Sequence, residues 1–330
     1  MITRFSKVPP TCLIAQVGGR LLPFALIIVC TTASAQSTGT WTKAAPAPAS
    51  RTEVAVAELD GKIYLVGGFK HFGATSSAQV YDPVTDRWKD LASMPASLHH
   101  AGIGAVNGKL YVIGGYKGNI SWTPQNSVFE YDPKSDRWTE KQPMPTARGA
   151  LGVGVHDGKL YAVGGYTGND NTGANEEYDP ATNTWKKLAL LPTPRDHLAV
   201  AVVGDSLYAI GGRIKSSYRS NLNANESYDF SSDRWTTKMP LPTARSGIAS
   251  AVLDGRIFIF GGESPEGTFH QNEAYDPKTD HWETMTPMPT SRHGLGAAVV
   301  GDKIHVLCGG TNPGGSFSDA HEVFSALNLP

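Results

Sequence analysis

Four of the ten histidines, His99, His100, His197 and His293, fall just after one recurring position that is held by arginine in all repeats but the second. Imidazole is a common ligand of zinc and copper, so a cluster of them could take a metal. No HExxH pattern and no closely spaced Cys/His set accompanies them, so the geometry would depend on tertiary structure, and the expectation is no metal and no cofactor. Glu53, Asp196 and Ser246 share the same stretch of the repeat, and just after the paired glycines stand Phe69, Tyr116, Tyr166, Arg213 and Glu263. Five arginines, Arg51, Arg148, Arg195, Arg245 and Arg292, hold the recurring position itself. Guanidinium forks grip carboxylates in pairs, so such a ring could bind an anion. Loop aromatics Phe72, Trp122, Tyr218, Phe269 and Phe317 could stack on a sugar or grip a peptide, and Trp122 lies outside the repeat register.

The elements that must position these groups repeat six times. Trp41, Trp88, Trp138, Trp185, Trp235 and Trp282 are separated by 47, 50, 47, 50 and 47 residues. Diglycines beginning at Gly67, Gly114, Gly164, Gly211 and Gly261 each follow a tryptophan by 26 residues, and Tyr81, Tyr131, Tyr178, Tyr228 and Tyr275 each precede the next tryptophan by seven. Each unit reads as four short strands. The first is small and apolar (GIGAV, 102–106), and an Asn-Gly or Asp-Gly pair then makes a hairpin turn. The glycine strand and the tyrosine strand follow, and a DPxxD turn leads into the tryptophan strand. A period near 50 with glycine and aromatic marks resembles the kelch family across residues 40–325. The resemblance implies an all-β, six-bladed kelch-type β-propeller with the glycine-rich strand innermost, where bulky side chains would collide. The last repeat ends in its third strand at HEVF (321–324), so residues 40–43 are expected to supply its outer strand and close the ring. Cys308 occupies the first-glycine slot of the sixth repeat and reads as a small buried hydrophobe.

The repeats also test the arginines. Two residues before the tyrosine slot stand Gln79, Glu176, Glu226, Glu273 and Glu322, whereas the second repeat has Phe129 there and Leu98 in place of the arginine. Joint loss of cation and acceptor to an apolar pair is what direct contact produces, because losing one partner of a buried ion pair is costly. The arginines and their glutamates are therefore read as structural. The long connections, after the diglycine and after the tryptophan strand, open on one face, and binding residues are expected there.

A net charge of −1 gives no reason to expect a nucleic acid partner. Arg4, Lys7 and Arg20, the apolar run LLPFALIIVC (21–30) and an A-x-A ending at Ala35 read as a secretory signal over 1–35, cleaved after Ala35. That implies a secreted or periplasmic protein, a single domain over 36–330 expected to be monomeric, and no membrane insertion after cleavage. Kelch rings often present their loop face to partners. The leading expectation is accordingly a recognition module for a protein, peptide or glycan, contacting it through His99, His100, Tyr116, Trp122, Tyr166, Asp196, His197, Arg213, Glu263 and His293. The architecture is also similar to the bacterial N-acetylneuraminate epimerase family. That resemblance implies a sugar-acting enzyme, with Glu263 or His197 as acid/base and Arg213 as carboxylate clamp.

Overall fold

Each repeat folds into one antiparallel four-stranded sheet because its hydrophobic marks alternate with tight turns. In blade 1, Ala55–Leu59, Lys62–Val66, Ala78–Asp82 and Arg87–Asp90 pair in that order. A computed structural model describes residues 38–71 and 73–326, and the expected signal segment and Phe72 lie outside these residues. Six such sheets are present, and the first strands of neighbouring blades meet in a ring. The sixth blade takes its outer strand from Thr40–Lys43, which pairs with His321–Ser325 so that Trp41 lies opposite Phe324. The chain is thus an all-β, six-bladed propeller, and no helix among the described residues is long and apolar enough to cross a membrane.

The small inner residues are required between blades more than across the axis. A Cβ on Gly102 would come within 2.3 Å of Val153 in the next blade, and one on Gly152 within 2.2 Å of Val200. The aromatic marks fasten the same seams. Each tryptophan indole donates to a carbonyl of the preceding blade, as from Trp138 to Ala92 at 2.8 Å and from Trp235 to Ala189 at 2.9 Å. The final Asp of the DPxxD turn accepts both the tyrosine hydroxyl and a backbone N–H from the preceding blade; Asp136 takes Tyr131 at 2.6 Å and Ala92 at 2.8 Å.

The arginines lie inside the blades. Arg292 meets Glu322 at 2.7 Å, Arg148 meets Glu176 at 2.5 Å, Arg195 meets Glu226 at 2.5 Å, and Arg245 pairs with Glu273. Arg51 donates to Gln79 in the same way. All five arginines are buried. Arg195 also donates to the carbonyls of Gly211, Thr193 and Ala209, which ties the connection before the inner strand to its blade. Sequence reasoning passed over a threonine two residues before the arginine. Thr146, Thr193, Thr243 and Thr290 each donate to the second carboxylate oxygen of the paired glutamate. The two blades without glutamate carry Ala49 and Ala96 at that position, so the signal was present in the repeats. In blade 2, Leu98 and Phe129 sit in one apolar cluster.

Cys308 is buried in a left-handed backbone conformation, and burial pushes its thiol up to about 11, which suppresses the nucleophilic thiolate. Close by, at the closing seam, His305 Nδ1 lies 2.8 Å from His321 Nε2, and His321 Nδ1 donates to Ala45 O at 3.0 Å. Burial pushes both histidines down to about 4. Their unfolded value is 6.5, so between 6.5 and about 4 the unfolded chain binds more protons than the folded one. Stability is therefore expected to be full above pH 6.5 and to fall as the pH drops towards 4, by roughly 1.4 kcal/mol per unit for each histidine. Melting temperatures from pH 8 to 4 check this: the acid slope should be shallower in His305→Phe, and an unchanged slope would rule out the seam as its source.

Candidate functional site

The site is built on a belt of backbone hydrogen bonds around the channel mouth. Two residues after each arginine slot, Glu53, His100, Ala150, His197, Gly247 and Gly294 all have φ between 53° and 66°. Each amide donates to the carbonyl of its counterpart in the preceding blade: His100 to Glu53 at 3.1 Å, Ala150 to His100 at 2.8 Å, His197 to Ala150 at 2.9 Å, and so on until Glu53 reaches Gly294 at 2.6 Å. Non-glycine residues held in this region cost of order 1–3 kcal/mol each, which the closed belt offsets. Gly294 has a second reason to be glycine, since a Cβ there would lie 2.5 Å from Glu53 Oε1. The residue one step earlier pairs with the one after the diglycine, which brings Asp196 beside Arg213, Ser246 beside Glu263 and His99 beside Tyr116.

These constraints gather the ionisable groups. Arg213 donates Nη1 to Glu263 at 2.6 Å, Nη2 to His197 Nε2 at 2.7 Å and Nε to Asp196 at 3.3 Å. His197 Nδ1 in turn bonds Asp196, whose other oxygen takes Asn171 at 2.5 Å and the Ser216 amide at 3.1 Å. Glu53 lies 3.3 Å from His100 and 3.4 Å from His293, and His293 is 3.6 Å from Glu263. Gly314 N–H donates to the other Glu263 oxygen at 2.8 Å.

Burial alone would raise the Glu53 carboxyl, but His100, His293 and His197 outweigh it and hold Glu53 well below the usual range. Burial likewise opposes ionisation of Asp196, and His197, Arg213 and Asn171 overcome it. Desolvation holds His100 well below its ordinary value despite Glu53 and lowers His99 to about 4. For His293 burial is outweighed by Glu53 and Glu263, so its value is raised.

Above this floor opens a cavity of about 440 Å³. Glu53, His100, Arg213, Glu263 and His293 line its base, and Phe69, Trp122, Tyr218 and Phe317 line its walls. Trp122, 41% exposed, packs on His100 at 4.9 Å, His99 at 5.0 Å and Phe69 at 5.7 Å between ring centroids. Five of the expected contact residues do not line the cavity. Tyr116 is buried behind Trp122, with its hydroxyl on Tyr166 O at 3.1 Å, and Tyr166 turns its own hydroxyl to Asn169 O. His99 and Asp196 are wholly buried and support His100 and His197 from below. His197 reaches the narrower channel beneath, alongside Glu53 and His100. Glu53 and Thr52 belong to the lining although neither was among the expected contact residues.

Two family patterns match the repeats that build this face. The pattern described as the KLHDC2/KLHL20/DRC7 Kelch-repeats domain matches residues 93–237 and 153–326, and the Kelch motif matches 50–95. The chain belongs to the kelch-repeat family. Kelch-like protein terF of Aspergillus terreus is 48% identical over 54 residues, 15% of this chain. The matched part spans only 12% of that relative's length. The solved structure of YjhT is similar to this kelch propeller with a TM-score of 0.72 at 18% identity, covering 83% of this chain and 95% of that one. At that identity the likeness shows the shared fold.

Proposed function

We propose that this kelch propeller is an exported recognition module whose long-loop face binds a glycan or a glycan-bearing partner, with one sugar unit seated in the cavity. The observation that carries this reading is the pairing of an aromatic wall with a largely buried polar base: Trp122 and Phe69 above, Glu53, Arg213, Glu263 and His293 below. Aromatic faces stack on the apolar C–H surface of a sugar, and alternating carboxylate and cationic groups match hydroxyls that both donate and accept. The volume of about 440 Å³ falls within the usual range for small-molecule sites. Export rests on the basic, apolar and A-x-A pattern of residues 1–35.

A second reading is supported by one detail. Glu263 is a buried carboxylate on the cavity base, with Arg213 on one oxygen and a backbone N–H on the other, which suits acid–base chemistry on a bound sugar acid. One set of NMR experiments tests both readings. Saturation transfer from the protein to N-acetylneuraminate, N-acetylglucosamine or galactose is expected, and Trp122→Ala should weaken it at least tenfold. Faster mutarotation of freshly dissolved sialic acid, lost in Glu263→Gln, would select the enzyme reading. Absence of transfer to every saccharide would overturn the glycan reading.

A further inference from the structure

We propose that Glu53, His100 and His197 bind one divalent transition-metal ion of the zinc class at the throat of the propeller. Of the six equivalent belt positions, three carry ionisable side chains, and these three converge: one ligand atom from each lies within 4.8 Å of the others. Ala150, Gly247 and Gly294 fill the remaining positions and leave the space they enter. A tetrahedral ion with bonds of about 2.1 Å sets its ligands about 3.4 Å apart. Glu53 Oε2 and His100 Nε2 already stand at 3.3 Å. The His197 ligand atom stands within 4.8 Å of both and must move closer to complete the set.

The surroundings fit ligation. His197 donates Nδ1–H to Asp196, which leaves Nε2 as the ligating atom in the carboxylate–histidine arrangement that orients and strengthens metal ligands. His100 contacts His99 through Nδ1 at 2.5 Å and turns Nε2 towards Glu53. The donor set, two imidazoles and one carboxylate, suits zinc, cobalt or iron in the divalent state and not calcium or magnesium, which take mainly oxygen ligands. Charge favours a cation too. Glu53, Asp196 and Glu263 are buried or nearly so, against a single guanidinium, Arg213. A dication offsets this excess of carboxylates. Ligation displaces Arg213 Nη2 from His197 Nε2 and leaves Nη1 on Glu263. Glu53 and His100 also border the large cavity, so a coordination position remains open towards whatever the cavity holds.

The test needs no sugar and is therefore independent of the glycan reading. Chelator-stripped full-length protein is titrated calorimetrically with Zn²⁺, Co²⁺ or Ca²⁺, and its melting temperature is followed. One equivalent of Zn²⁺ with a raised melting temperature, a visible Co²⁺ spectrum and no Ca²⁺ binding are expected. His100→Ala should weaken Zn²⁺ at least 100-fold. Asp196→Asn, which acts through His197, should weaken it 10–100-fold while keeping the Co²⁺ band. His281→Ala, on an outer strand, should change nothing. If His100→Ala does not fold, the near-isosteric Glu53→Gln decides. No Zn²⁺ binding below millimolar, equal Ca²⁺ binding, or binding undiminished in both ligand variants would overturn the proposal.

Discussion

Arg148→Leu is expected to destabilise the ring by about 3–5 kcal/mol, the cost of leaving a buried partner charge uncompensated. Glu176 would lose the guanidinium at 2.5 Å and keep only Thr146 at 2.7 Å as a side-chain donor, in a site that excludes water. The Ala162 and Thr146 carbonyls would lose their arginine donor as well. The molecule already contains the remedy. Blade 2 holds Leu98 and Phe129 at the equivalent positions, packed in one apolar cluster. Arg148→Leu combined with Glu176→Phe should therefore recover most of the loss, and the coupling energy from a denaturant-unfolding cycle should be large and favourable. A loss below about 1 kcal/mol for the single variant would mean that the arginine contributes little to the blade, against the range expected for a broken buried pair.

Deleting residues 38–46 should have a still larger effect, removing the cooperative transition of the closed ring. This segment supplies four ladder pairs to the last blade, from Thr40 opposite Ser325 to Lys43 opposite Glu322. It also brings the Trp41 bond to Thr286 O at 3.0 Å, and the Ala45 carbonyl that takes Trp88 at 3.0 Å and His321 at 3.0 Å. Its loss would leave His321–Ser325 as an unpaired edge, a template for association. Circular dichroism melts and size-exclusion chromatography should show a broadened, lowered transition and higher-order species. Adding a peptide of residues 38–46 should partly restore the melt. A truncated chain that stays monomeric with an unchanged melt would show that the seam does not secure the ring.

The repeat marks were legible because each serves the same contact in at least five of the six blades. The arginine pairing was legible for a subtler reason: blade 2 lost both partners together, which only direct contact makes tolerable. The site was less so. His99 and His100 are neighbours in the chain, yet His99 supports from below while His100 borders the cavity, because the belt turns the backbone at His100 into the left-handed region. Tyr116 and Tyr166 share a slot with Arg213 and Glu263, but only the latter pair faces the cavity. Trp122 covers Tyr116, and the Tyr166 hydroxyl is drawn to its own loop.

From the order of residues alone came the six-fold repeat, the closure of the last blade by the first strand, the Arg–Glu pairing and the face that carries the long loops. All of these follow from local patterns recurring at a fixed period. Only the tertiary structure decided that His99, His100, His197 and His293 are buried, that Glu53 joins His100 and His197, and that five expected contact residues stand outside the cavity. Those outcomes depend on side-chain direction at positions about fifty residues apart, set by hydrogen bonds between blades that no single repeat encodes.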